Sequence, residues 1–576
     1  MYLNVMNNKK SGTTTLSIRR GYRDENGKVK NVTVQYLGKL EDLEKEFEDP
    51  IAHYKEVVKE MNEKEILDKQ PIILKIDKNE KLSENTNNIK NLGYIALSEV
   101  YHELEIDKFI IHKFKSRDIS EFKLNNILKL LVFARALFPD SKKSTYENRN
   151  IFFENSDFSL QEVYNALTYL EPFKDKLQQY IYSHIQDQYK PNNESVFYDV
   201  TNYYFEIDDN DEFRKKGVSK EHRPNPIVQM GLFMDSLAFP MCYKLFSGNT
   251  NDCLTLKPMV QELQKNYDVG RVIVVADKGL NTGNNIAYNL AINNGYVMSL
   301  SIRGADKELK EYVLKEDDYN FNEDKSYKVK SRLYPREIII TKKDKNGKVI
   351  KKKQRVDEKQ VIFWSADYAK RAKAERQPAI DKARELIGNV QKYNKANSYG
   401  ASKYVKHLVF DENTGEIIVA KSKLSLDEDK IAEEEKYDGY YAIVTSELDK
   451  TDGEIIDIYR GLWRIEETFK VTKSELNARP VYLSREEHIQ AHFLTCYISL
   501  VLSRILQYKV AKKYSVGKIL ESLGKYNCTN IQENIYQCNY YDSILKEIGE
   551  SINIDFSLKN RTLQDIKKIL GTSKNN

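Results

Sequence analysis

Apolar and polar positions alternate at the start of the chain. Residues 14–23 and 30–37 place β-branched and aromatic side chains at every second position on either side of Asn26-Gly27, a type I′ turn signal, which predicts a β-hairpin. From Glu41 to Leu67 the pattern turns helical and charged, and the polar stretch Asp77–Asn91 reads as a linker. Residues 93–188 carry apolar side chains at helical spacing, such as Leu124, Ile127, Leu128, Leu131 and Phe133, and predict a helical domain.

The period then changes. Ser195–Phe205, Pro226–Met234 and Pro240–Phe246 predict three strands, and Thr255–Tyr267 a helix. Arg271–Asp277 is a short apolar strand of the kind buried on both faces, followed by a helix near Asn284–Asn293 and a strand at Tyr296–Ser301. Strand, strand, strand, helix, strand, helix, strand is the order of an RNase H-like α/β core. From about 305 to 440 the pattern is hairpins and a charged helix. One hairpin centres on Asn346-Gly347 inside Lys342–Arg355, a window of eight basic residues and one acid, and a basic helix over Ala369–Val390 follows. Such charge is either a solvated face or a surface for DNA.

Length and composition narrow the class. A chain of 576 residues suggests three to four domains, and 40% hydrophobic with 31% charged residues excludes collagenous and wholly disordered proteins. The longest apolar stretches, Ile127–Phe138 and Thr495–Leu506, are too short or interrupted to span a bilayer, and no secretory signal opens the chain, so a cytoplasmic protein is expected. A net charge of +5 permits DNA binding without demanding it. The five cysteines are odd in number and lack Cys-x-x-Cys spacing, which argues against disulfides and a zinc ribbon.

Three acids stand out. Asp199 lies within a predicted strand and Asp277 at the C-terminal end of another, where ligands gather in α/β sheets. Glu466 lies in Ile455–Lys473, which reads as one helix. Tyr459, Glu466 and Lys473 are spaced by seven and project from nearly one face, with Lys470 beside them. A carboxylate among lysines suits a divalent metal next to a phosphate backbone. The same residues also read as a structural Asp and an i,i+4 surface pair.

The motifs themselves are more specific. Tyr459-Arg-Gly-Leu-Trp-Arg-Ile-Glu-Glu-Thr-Phe-Lys-Val-Thr-Lys473 resembles the Y-x2-R-x3-E-x6-K helix of bacterial insertion-sequence DDE transposases. Phe197–Thr201 resembles their first-Asp strand, Val274–Leu280 the second, and Phe246–Asp252 the GNtxD segment between them. Lys220–Asn225 and Arg479–Tyr482 are similar to further landmarks. The resemblance covers about 195–500 well and the N-terminal hairpin more loosely. The family's Arg position holds Leu462, with Arg460 and Arg464 two residues to either side.

The resemblance implies an RNase H-like core in which Asp199, Asp277 and Glu466 bind two Mg²⁺ (or Mn²⁺) ions for in-line phosphoryl transfer. It implies DNA as partner, both terminal inverted repeats and target, held by a homodimer or larger assembly without a membrane, in the bacterial cytoplasm at the nucleoid. Lys470, Lys473, Lys220, Arg223, Arg460, Arg464 and Arg479 become candidate phosphate contacts, and Tyr459 packs beside the backbone. Tyr441 either stacks on an unpaired base or packs within its strand. The expected architecture is a β-hairpin and helix over 1–70 that binds DNA, then a helical domain over 71–190. The core covers 191–305, a β-rich basic insertion domain 306–440, the rest of the core with its Glu helix 441–490, and a helical tail 491–576. Two rivals are a non-catalytic repeat-binding protein of the same ancestry and an RNase H-fold nuclease without strand transfer. Trp364 and Trp463 read as core. His488 and His492 share a helix face without a zincin pattern, and no Walker motif occurs.

Overall fold

The computed structural model describes every residue except 9–12, 24–28, 69–78, 80, 82, 85, 116–119, 221–223, 344–347, 389–400, 411–416, 480, 533 and 573–576. It divides into two units, Met1–Thr86 and Asn87–Asn576. In the first, the expected hairpin gains a third strand. β1 (Tyr2–Asn8), β2 (Thr13–Arg23) and β3 (Val29–Lys39) form an antiparallel sheet with β2 central, and the Asn26-Gly27 turn lies outside the described residues. Leu16 and Ile18, two apart and so on one face, are fully buried. The helix Pro50–Asp68 follows, and Asn62 ties it to the start of the chain by accepting from the Met1 ammonium at 2.6 Å.

In the second unit the linker reading is corrected at its end. Ile89–Asn91 is a strand, β4, because Asn91 is fully buried and its amide bonds the carbonyls of Leu523 and Tyr526 at 2.9 and 3.3 Å. Helices from Tyr94–Glu103 to Lys174–Tyr189 then pack around Glu486–Lys509. That helix is long and apolar enough to cross a membrane, but 94% of its apolar window is buried within the protein.

The central sheet carries β5 (Ser195–Tyr204), β6 (Ile227–Met234), β7 (Pro240–Ser247), β8 (Ile273–Ala276) and β9 (Gly295–Leu300). Their order is β9-β8-β5-β6-β7, with β5, β8 and β9 parallel and β5, β6 and β7 antiparallel. This mixed α/β arrangement fits an RNase H-like core. Every residue of β6 and β8 is buried, which is why β8 reads as a continuous apolar run.

The segment after β9 joins this same sheet. β10 (Asn320–Phe321), β11 (Tyr327–Lys343) and β12 (Val349–Ser365) precede a small separate pair, β13 (Val405–Phe410) and β14 (Ile417–Leu426). β15 (Tyr440–Thr445) then inserts between β12 and β9 and completes nine strands. The region expected to be a helical tail also contains β16 (Asn527–Gln532), β17 (Ile535–Cys538) and β18 (Asn560–Thr562), which make a four-stranded sheet with β4. β16 and β17 are as long as β9 and β8, but NCTNIQ and IYQC place polar side chains where those strands are mostly apolar, so no strand pattern marks them in sequence.

Candidate active site

Register assembles the site. Tyr198 pairs with Ala276 across the parallel β5 and β8, so the next residues, Asp199 and Asp277, stand side by side about 4.8 Å of strand spacing apart. Ala276 pairs with Met298 on β9, which brings Ser299 level with Asp277; its hydroxyl donates to Asp277 Oδ1 at 2.8 Å. Asp277 also accepts from the Lys278 N–H at 2.6 Å, and Asp199 from the Val200 N–H at 2.7 Å.

Glu466 arrives on a broken helix, which corrects the single helix read over 455–473. One helix ends at Arg460 and a second runs Trp463–Ser474, joined by a tightened turn in which Leu462 and Ile465 donate to carbonyls three residues back. Gly461 in this turn is closely approached: a Cβ there would lie 2.5 Å from the Phe197 ring on β5. Leu462, at the family's Arg position, is buried in the core.

Charge couples the three acids. Burial, reinforced by Asp277 and Glu466, pushes the Asp199 carboxyl up to about 6, against the pull of the Lys220 ammonium and the Val200 N–H. Burial and then Asp277 raise Glu466, again opposed by Lys220. Carboxyls held up in this way gain from a nearby cation, and hard oxygen donors suit Mg²⁺ or Mn²⁺. The chemistry of the donor set therefore fits a divalent ion. Among the described residues no three acidic, His or Cys side chains already close into a ligand cage.

The basic residues divide. Lys220 donates to the Val200 carbonyl and stands 3.9 Å from Asp252. Lys473 lies 5.7 Å from the Tyr203 ring; burial and the Lys220 charge lower its ammonium to about 8, opposed by Asp199. Lys470 is exposed one turn beyond Glu466. Tyr459 is half-buried; burial raises its phenol, Ser299 lowers it, and Asp277 raises it again. Arg464 turns away to the Ser236 carbonyl at 2.7 Å, and Arg460 pairs with Asp457 at 3.4 Å on the surface. Arg479 stacks over Tyr204 at 5.5 Å, and Arg223 lies outside the described residues.

A cavity of about 250 Å³ adjoins Asp277, lined by Ser299, Tyr368, Arg371, Tyr441 and Tyr459. Tyr441 stacks on Phe363 with ring centroids 5.5 Å apart, yet stays 42% exposed. Trp463, read as core, is 57% exposed because it opens the second helix on its outer face; Trp364 is half-buried and donates to the Asp438 carbonyl. Sequence reasoning did not single out Ser299, which only register reveals. It also left aside Asp252, which the Phe246–Asp252 segment had marked.

Residues 3–70 match the family model described as the IS1634 family transposase, N-terminal domain, and residues 205–502, just over half of the chain, match the transposase DDE domain. Asp277 and Glu466 fall inside the second match and Asp199 just ahead of it. Among solved structures, the cryo-EM piggyBac transposase synaptic complex with hairpin DNA is similar at 11% identity, over 84% of this chain and 85% of that one, with a TM-score of 0.35. No curated protein matches the chain.

Proposed function

The chain belongs to the bacterial insertion-sequence DDE transposases, and from that premise we propose that it binds the terminal inverted repeats of its element, cleaves DNA at the ends and joins the freed 3′-OH ends to target DNA. The observation that carries this reading is the row of Asp199 and Asp277 on adjacent parallel strands, charge-coupled to Glu466. These three carboxylates would hold two Mg²⁺ (or Mn²⁺) ions. Such ions, when bound, supply Lewis-acid charge at the attacking and leaving oxygens of an in-line displacement.

The chain's own residues do the rest. Ser299 fixes the Asp277 carboxylate by its hydrogen bond, which leaves the second oxygen for a cation. Lys473, Lys470 and Lys220 hold phosphates around the reacting one, and Tyr459 packs beside the backbone. The stacked Tyr441 keeps an exposed face on which an unpaired base can lie. Water attacks first and frees a 3′-OH, which then attacks a target phosphodiester. The N-terminal unit binds DNA, and the protein acts as a homodimer or larger assembly at the bacterial nucleoid.

A duplex bearing the inverted repeats that flank the gene tests this. Mg²⁺-dependent cleavage and a strand-transfer product are expected from the natural chain, and Asp277→Asn should lose both by at least about a thousandfold while still binding the duplex. Cleavage that never yields a joined product would make the protein a nuclease, and binding without cleavage a non-catalytic repeat binder.

A further inference from the structure

We propose that a basic cavity beyond the end of the Glu466 helix is a second phosphate-binding pocket, separate from the three carboxylates. It measures about 400 Å³, and Arg135, Lys142, Lys143, Arg479 and His492 contribute to its wall. Asp140 is the one acid among its described lining residues. Its carboxylate is occupied, accepting from the Ser141 N–H and the Ser144 hydroxyl at 2.6 Å each.

Three of the bases are deeply buried: Arg135, Lys142 and His492 are 6%, 5% and 5% exposed. Arg135 donates to the carbonyls of Leu476, Asn477 and Asp140, while its Nε has no hydrogen-bond partner among the described residues. Lys142 Nζ lies 3.2 Å from His492 Nδ1, and His492 Nε2 lies 3.3 Å from the Ala478 carbonyl. Among the described residues no carboxylate pairs with Lys142 or His492. Buried cations normally carry a partner anion, because desolvation without one costs several kcal/mol per ion. Here burial and the neighbouring Arg135 lower Lys142 to about 7, and burial with Lys142 and Arg135 lowers His492. An arriving anion would let the bases charge together. A phosphate, with several oxygens for the ammoniums of Lys142 and Lys143 and the guanidinium of Arg479, suits the cavity better than a flat carboxylate does. Arg479 ties this wall to the end of the Asp199 strand through Tyr204. Five residues of strand separate Tyr204 from Asp199, about 17 Å. A backbone phosphate of the same bound DNA is therefore the expected occupant. That source rests on the transposase reading; phosphate binding itself does not.

The full-length chain is melted in inorganic phosphate and in chloride of equal ionic strength at pH 7. Phosphate should raise the midpoint by roughly 1–3 °C, and Lys142→Met should lose the rise. Arg479→Gln provides the same reading if Lys142→Met does not fold. The salt dependence of binding to a non-specific duplex identifies the source. A log–log slope shallower by about one in the variant assigns the occupant to DNA. An unchanged slope in a variant that has lost the phosphate rise assigns it to a free phosphate or nucleotide, and a rise that persists in both variants overturns the pocket. Absence of a phosphate-specific rise in the natural chain overturns the pocket. Loss of cleavage activity would leave that rise untouched, so the two proposals fail separately.

Discussion

At the scale of single residues, Asp235 shows how burial outweighs hydrogen bonding. Its carboxylate, in the turn between β6 and β7, accepts from the N–H groups of Leu237 and Phe239 at 2.9 Å and from the Tyr182 hydroxyl at 3.1 Å. Burial still drives it from 3.8 up to about 7. In the unfolded chain it ionises near its ordinary value, so between pH 4 and 7 the folded state holds the extra proton. Stability therefore falls as pH rises through that window and levels off above it, by at most about 4 kcal/mol at 1.36 kcal/mol per unit. Asp235→Asn keeps an oxygen for the two N–H groups and should flatten this slope. Denaturant melts at pH 5 and pH 8 measure it, and equal slopes in both chains would refute the assignment. Asp235 resembles Asp199 in being a raised carboxyl, and only surroundings separate them: other carboxylates crowd Asp199, whereas Asp235 is enclosed by donors. Residue types in motifs made Asp199, Asp277 and Glu466 legible in sequence. Ser299 was not, because its role comes from pairing across β8 and β9, a relation between segments that no local pattern carries.

Among the elements, the helix that brings Glu466 to the sheet depends on a residue with no side chain. The seven-residue spacing of Tyr459, Glu466 and Lys473 suggested one straight face, and local periodicity supports nothing else. Gly461, at the break, is closely approached by the Phe197 ring two residues before Asp199. This contact links the strand of the first carboxylate to the helix of the third. Gly461→Ala places a methyl against that ring at 2.5 Å, and either the ring or the helix must shift. The substitution should cost about 1–3 kcal/mol of stability. It should also lower cleavage by about tenfold or more, since positional errors near 1 Å are felt strongly in catalysis. Phe197→Leu in the same chain, which replaces the ring by a shorter side chain, is expected to restore part of the rate. A Gly461→Ala chain with full activity would show that the turn does not position Glu466.

For the whole molecule, the nine-stranded sheet explains why composition read a separate basic module where the structure has a continuous one. Periodicity identifies β11 and β12 as strands but cannot say which sheet they join. The partner of β12 is β15, nearly eighty residues further along the chain, which pairs in turn with β9. A buried network locks this connection: Glu358 on β12 accepts from the Tyr296 hydroxyl on β9 at 2.5 Å and from Arg336 on β11 at 3.0 Å. The basic hairpin is therefore an extension of the sheet that carries Asp199 and Asp277, and DNA bound there would lie along that same sheet. Lys351, Lys352, Lys353 and Arg355 are all exposed on β12, and only Lys353 has a described ion pair among these four, with Glu337 at 2.7 Å. Exposed pairs of this kind are worth little, so the lysine remains available to a phosphate. Replacing Lys351, Lys352 and Arg355 together by alanine should leave folding unchanged. It should weaken duplex binding by a similar factor for every sequence and make the salt slope shallower by about 0.9 for each phosphate that is no longer neutralised. A melting curve checks the first expectation and titrations at several salt concentrations check the second. Weakening confined to inverted-repeat DNA would instead mean that the hairpin reads bases, and an unchanged slope would place the DNA elsewhere on the sheet.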